Sequence, residues 1–143
     1  MIQGTLISNK KGFTLTEMLV AIVIMIVGML GLLQAANVVI EYNLKNHVRD
    51  EAIMIGERYM NLFKGVGFDN INATNYPVDP PKTETVPSTI RGSGRSYTVI
   101  STWQTLAVNS ALQPTSKQLE VLVRWQYKTE TLENRVVSVV SNQ

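Results

Sequence analysis

The 143-residue chain contains no cysteine and one histidine, His47. Without thiols it can form no disulfide and offers neither a thiolate metal ligand nor a cysteine nucleophile. His47 stands among polar residues with no second histidine or acid pair at ligand spacing, so it is expected on the surface. No H-E-x-x-H, G-x-S-x-G or phosphate-binding loop occurs, which leaves nucleophilic and zinc chemistry without candidate residues. The sequence predicts neither an enzyme nor a cofactor or metal site. Both tryptophans, Trp103 and Trp125, fall in strand-like surroundings and are expected to pack in a core.

What is present in quantity is apolar length. From Met18 to Leu33 no side chain is charged or strongly polar. With Phe13 to Leu15 before this run and Ala35 to Ile40 after it, the segment exceeds the roughly 20 residues a helix needs to cross a bilayer. One acid, Glu17, interrupts its start, and a carboxylate in hydrocarbon is costly unless it is paired, reaches the headgroups or lies near the positive end of the helix dipole. No small-residue cleavage site follows Leu33, so an ordinary secretory signal is not expected.

The residues ahead of the run, Lys10-Lys11-Gly12-Phe13-Thr14-Leu15-Thr16-Glu17, resemble the class III signal of type IV pilins and pseudopilins. That resemblance implies a leader, residues 1–12, removed by a membrane prepilin peptidase between Gly12 and Phe13. It further implies N-methylation of the new amino-terminal Phe13 and a role for Glu17 in assembly. In the family the acid of an incoming subunit pairs with the amine of a subunit already in the filament. Two charges about 4 Å apart at an effective dielectric near 20 attract by roughly 4 kcal/mol, enough to set axial register between packed helices. The leader charges Lys10 and Lys11 fit an amino terminus held in the cytoplasm. Removing them from the thirteen basic residues leaves eleven, equal to the acids, so the mature chain has no basic excess to recruit nucleic acid.

Gly28 and Gly31 lower helix propensity by about 0.8–1 kcal/mol each. They are expected to allow either close helix packing or, as the resemblance implies, local unwinding during assembly. Beyond residue 40 the helix is expected to continue as an amphipathic half, 41–64, with Val48, Ala52, Ile55, Tyr59 and Leu62 on one stripe. Lys64 and Gly65 supply its stop, the glycine able to adopt the left-handed cap. Residues 65–95, rich in Pro, Gly, Asn, Thr and Ser, form a long connection, the αβ-loop of the pilin architecture. Within it Arg91-Gly-Ser-Gly-Arg95 is expected as a solvated turn, and Asn72-Ala-Thr74 matches a glycosylation sequon. Residues 96–143 carry strand periodicity, clearest from Leu119 to Tyr127, with further strands at Tyr97–Gln104 and Arg135–Ser141 and a turn at Lys128–Glu133.

The expected fold is α+β and pilin-like: a long amino-terminal helix whose second half packs on a small antiparallel sheet. The expected function is that of a structural subunit held in the inner membrane, amino terminus cytoplasmic, until it enters a pilus or periplasmic pseudopilus. Its implied partners are other pilin subunits, the prepilin peptidase/methylase and the inner-membrane assembly platform. The helix and terminal strands are more loosely similar to PilV-type minor pilins, which would place adhesion, motility or DNA uptake downstream. A secretion-system pseudopilin, a major pilin and a single-pass membrane-anchored binding module are the alternatives.

Overall fold

The computed structural model describes residues 12–90 and 94–142. The chain divides into two compact units, Met1–Tyr42 and Asn43–Gln143. One helix, α1, Leu15–Gly65, contributes to both. In the first unit the helix is exposed along its length. It is long and apolar enough to cross a membrane, and among the described residues its most apolar stretch is not buried.

The second unit holds the remainder of α1 and a four-stranded antiparallel sheet of β1 Lys82–Pro87, β2 Ser96–Val108, β3 Pro114–Tyr127 and β4 Glu130–Ser141, in the spatial order β1-β2-β3-β4. Alternation sets the faces: Leu119, Val121, Val123, Trp125 and Tyr127 point into the core, whereas Arg124 and Gln126 between them are exposed. Tyr97 and Val99 on β2, Ile71 after the helix, and Val48, Ala52, Met60 and Phe63 on α1 complete that core. This is the α+β arrangement the periodicity predicts.

Four local expectations are corrected. Leu62 is 58% exposed; the helix buries Val48, Ala52, Gly56, Met60 and Phe63 instead. The reason is Gly56, at which an added Cβ would lie only 3.0 Å from Val136 Cγ2 and 3.4 Å from Val123 Cγ2. Helix and sheet approach closely at this residue, on the face of α1 away from Leu62. The left-handed residue after the helix is Gly67, with φ 87°, while Gly65 is still helical. The turn before the last strand is shorter than the expected Lys128–Glu133, since β3 ends at Tyr127 and β4 begins at Glu130. Finally, the αβ connection contains an edge strand, β1, whose six residues follow Pro81, end at Pro87 and pair with β2 from Lys82↔Ser101 to Pro87↔Ser96.

Two buried polar side chains tie the irregular segments down. The Glu51 carboxylate accepts hydrogen bonds from Ser88 Oγ at 2.6 Å, Thr89 Oγ1 at 2.6 Å, Tyr97 Oη at 2.7 Å and the Thr89 backbone N–H at 2.5 Å. Burial pushes its pKa up, but these donors outweigh burial and hold it at about 2. Lys117 occupies an inward position on β3, where its ammonium donates to the carbonyls of Phe68 at 2.8 Å and Ile71 at 2.6 Å. The rings of Phe68 and Trp103 lie 4.2 and 5.3 Å from the same nitrogen, and burial lowers its pKa. The indole N–H of Trp103 donates to Tyr76 O at 2.9 Å, so the same segment is fastened to β2 as well.

Candidate functional site

Helix α1 begins with a reciprocal cap. Thr14 precedes the first helical residue, Leu15, and its carbonyl accepts the first helical bond from Met18 N at 3.2 Å. Its hydroxyl accepts from the backbone N–H of Glu17 at 3.3 Å, and in return Glu17 Oε2 accepts from the Thr14 backbone N–H at 2.9 Å. The Thr14 hydroxyl donates to the same oxygen at 2.9 Å. This is a capping box, in which two backbone donors that a helix start leaves unpaired are satisfied by the side chains three residues apart. The signal for it was legible as Thr14-x-x-Glu17, but the sequence reading explained Glu17 by membrane depth and by resemblance and missed the local bond.

The cap has a chemical consequence for the acid. Both side-chain bonds fall on Oε2, and the cap's own donors and acceptors belong to residues 14–18. A cut between Gly12 and Phe13 would therefore leave it intact. Phe13 is 87% exposed immediately before the cap. Phe13, Thr16, Glu17, Val20, Ala21 and Ile24 line one open groove along the helix. The geometry thus brings together Phe13 and Glu17, with Gly12 next in the chain. Lys10 and Lys11 lie outside the described residues, as do Arg91 and Gly92.

Gly28 and Gly31 sit farther along the unbroken helix. Among the described residues, apart from the helix's own backbone and adjoining residues, no atom lies within 4 Å of where a Cβ would stand at either. Among the described residues no group of three or more His, Asp or Glu side chains is placed to hold a metal ion, and His47 is exposed on α1.

A family model of the prokaryotic N-terminal methylation motif matches residues 7–33, which span the cap, the acid and most of the apolar run. The chain carries the prokaryotic N-terminal methylation motif. No curated protein and no solved structure gives a significant match. The motif supports a type IV pilin- or pseudopilin-like protein, a structural subunit rather than an enzyme. It implies processing by a prepilin peptidase and assembly with other pilins, and the apolar helix is consistent with membrane anchoring.

Proposed function

We propose that this chain is a minor type IV pilin, cut between Gly12 and Phe13, N-methylated at Phe13 and inserted into a pilus through its amino-terminal helix. The observation that carries the reading is the methylation motif over residues 7–33, laid on a helix whose one early acid, Glu17, is presented beside Phe13. Before insertion the helix lies in the inner membrane with its amino terminus on the cytoplasmic side, the side favoured by Lys10 and Lys11. On insertion the apolar surface exchanges lipid for neighbouring helices, and the Glu17 carboxylate meets the Phe13 amine of an adjacent subunit. Gly28 and Gly31 let neighbouring helices approach or the segment unwind. In the pilus the protein would help start or modify assembly, with adhesion, motility or DNA uptake as downstream effects.

Mass spectrometry of the mature amino terminus tests this directly. Methylated Phe13 in polypeptide recovered from sheared filaments is the expected result. An intact Met1, or a cut after Leu33, would mean that the helix is only an anchor for a binding module and would overturn the proposal. Glu17→Ala should still be cleaved yet fail to enter filaments; normal levels of the variant in fibres would contradict the assigned role of the acid.

A further inference from the structure

The β2–β3 hairpin runs past the end of α1. Lys117, opposite Thr105 in this hairpin, bonds the carbonyls of Phe68 and Ile71 just after the helix, and the two strands continue beyond that level to the turn at Asn109. At about 3.3 Å per residue, Leu112 stands roughly 10–15 Å farther on. No residue from Gln104 to Ser116 is charged, and Leu106, Val108 and Leu112 are exposed there.

Two features mark this tip as a surface to be covered. The first is its backbone. The N–H of Asn109 donates to Gln113 O at 2.9 Å, that of Leu112 donates to Asn109 O at 3.0 Å, and Asn109 Oδ1 accepts from the N–H groups of Ala111 and Gln113. A backbone donor that loses water without a replacement is costly to bury; these four keep their acceptors when the tip is covered. The second is Leu112, whose φ of 58° suits glycine or asparagine better. A leucine held in that conformation with its side chain outermost is local strain at an exposed apolar position, the kind that function retains.

A surface of matching form lies on the same unit. Ala52, Gly56, Met60 and Phe63 turn one side of α1 to the sheet. On the opposite side the exposed Met54 and Leu62 flank an open groove of about 710 Å³, with Arg58, Asn61 and Gly65 along it. Gly65 leaves a gap in its wall: among the described residues, apart from the helix's own backbone and adjoining residues, no atom lies within 4 Å of where a Cβ would stand. The tip is convex and the groove concave, so neither complements itself. Their contact is therefore heterologous, the tip of one copy against the groove of the next, and it allows every copy the same orientation in an open helical array.

We propose that the β2–β3 hairpin tip, led by Leu112, seats in the groove between Met54 and Leu62 of a second copy of this chain that lies parallel to it in the filament. The middle of the groove is about five residues before the end of α1, roughly 8 Å along the axis, so the two copies are offset by roughly 20 Å. Copies anchored side by side in one membrane stand level and cannot make this contact; staggered subunits of a filament can. The offset exceeds the roughly 6 Å between Phe13 and Glu17 along the helix, so the tip contact and the Glu17 contact join different pairs of subunits. The inference rests on the proposed function for that stagger.

The absence of cysteine makes the test clean, because an introduced thiol has no native competitor. Filaments sheared from cells that coexpress full-length Leu112→Cys and Leu62→Cys chains, treated with a mild oxidant, should yield a covalent dimer. The yield should stand well above that from Leu112→Cys with Thr131→Cys, an exposed position near the other end of the sheet. Leu112→Asn, relieved of its strain, should melt higher than the parent chain and yet be recovered in filaments at a reduced level. Linking of Leu112→Cys to itself, equal yields with Thr131→Cys, or no link in filaments that contain the chain would overturn this contact alone, as would a normal filament level of Leu112→Asn. A polarity-sensitive dye on Leu112→Cys that reports water in filaments and an apolar medium only when phosphatidylcholine vesicles are added would also overturn it, in favour of lipid. Absence of the parent chain from filaments would overturn the proposed function and this contact together.

Discussion

The phenol of Tyr97 donates a 2.7 Å hydrogen bond to the carboxylate of Glu51, 46 positions earlier in the chain. The same phenol lies 3.1 Å from Val48 O, so strand β2 is tied to one turn of α1 through a charged acceptor in the core. The folded-state pKa of Glu51, about 2, lies below its ordinary 4.5. Its contribution to stability is therefore complete above the ordinary value and is lost as pH falls from about 4.5 towards about 2, at most about 3 kcal/mol. Denaturant titration of the full chain in detergent should show this decline, and Glu51→Gln should flatten it. Tyr97→Phe should cost about 1.5–3 kcal/mol, the range for a hydrogen bond to a charged group.

Gly56→Ala should destabilise the second unit despite the better helix propensity of alanine. The propensity gain is about 1 kcal/mol, whereas forcing a methyl into a packed interface costs about 1–3 kcal/mol. With Val136 Cγ2 only 3.0 Å from the new Cβ, the steric cost should prevail. A raised melting temperature for Gly56→Ala would show that the sheet can move away. Gly28→Ala and Gly31→Ala meet nothing among the described residues; they should leave that melting temperature unchanged, and any defect should appear only in filament incorporation.

The tip of the β2–β3 hairpin stores removable strain. Leu112 has φ 58° and is 80% exposed, so it pays the left-handed conformation without burying its side chain. Asn109 holds the turn, its Oδ1 accepting from Ala111 N at 3.0 Å and Gln113 N at 2.9 Å. Leu112→Gly or Leu112→Asn should stabilise the protein by about 1 kcal/mol, measured as a shift in denaturation midpoint.

Capping and pairing at Glu17 can be separated by one substitution. Glutamine also serves at the third helical position of a capping box, but it carries no charge. Glu17→Gln should keep the helix start, seen as normal cleavage and membrane insertion, and still fail in filaments if the Phe13 amine needs a carboxylate. Thr14→Val should do the reverse, weakening the helix start by about 0.5–2 kcal/mol while retaining the charge. Normal assembly of Glu17→Gln would show that the acid acts through the cap alone.

The parts of this fold that depend on near neighbours in the chain were legible. The apolar run gave the helix, Lys64 and Gly65 its end within a residue, and the alternation from Leu119 to Tyr127 the central strand. β1 was hidden because six residues, Lys-Thr-Glu-Thr-Val-Pro, bounded by prolines look like the connection around them; pairing with β2 makes them a strand. Glu51 appeared as one more polar residue on a helix, since its donors lie 37 to 46 positions away. Gly56 gave no signal because the close approach it permits is a property of Val136 and Val123 across the interface. At the amino terminus the motif was plain, but the bond between Thr14 and Glu17 was passed over in favour of a partner outside the chain.

The bonds from Lys117 to Phe68 and Ile71 have a mechanical consequence. They span the segment that follows α1, with Trp103 and Tyr76 clasped beside them. A pull on the carboxyl-terminal end of the helix need not travel through the whole connection before the sheet feels it, because the ammonium hands the tension straight to β3.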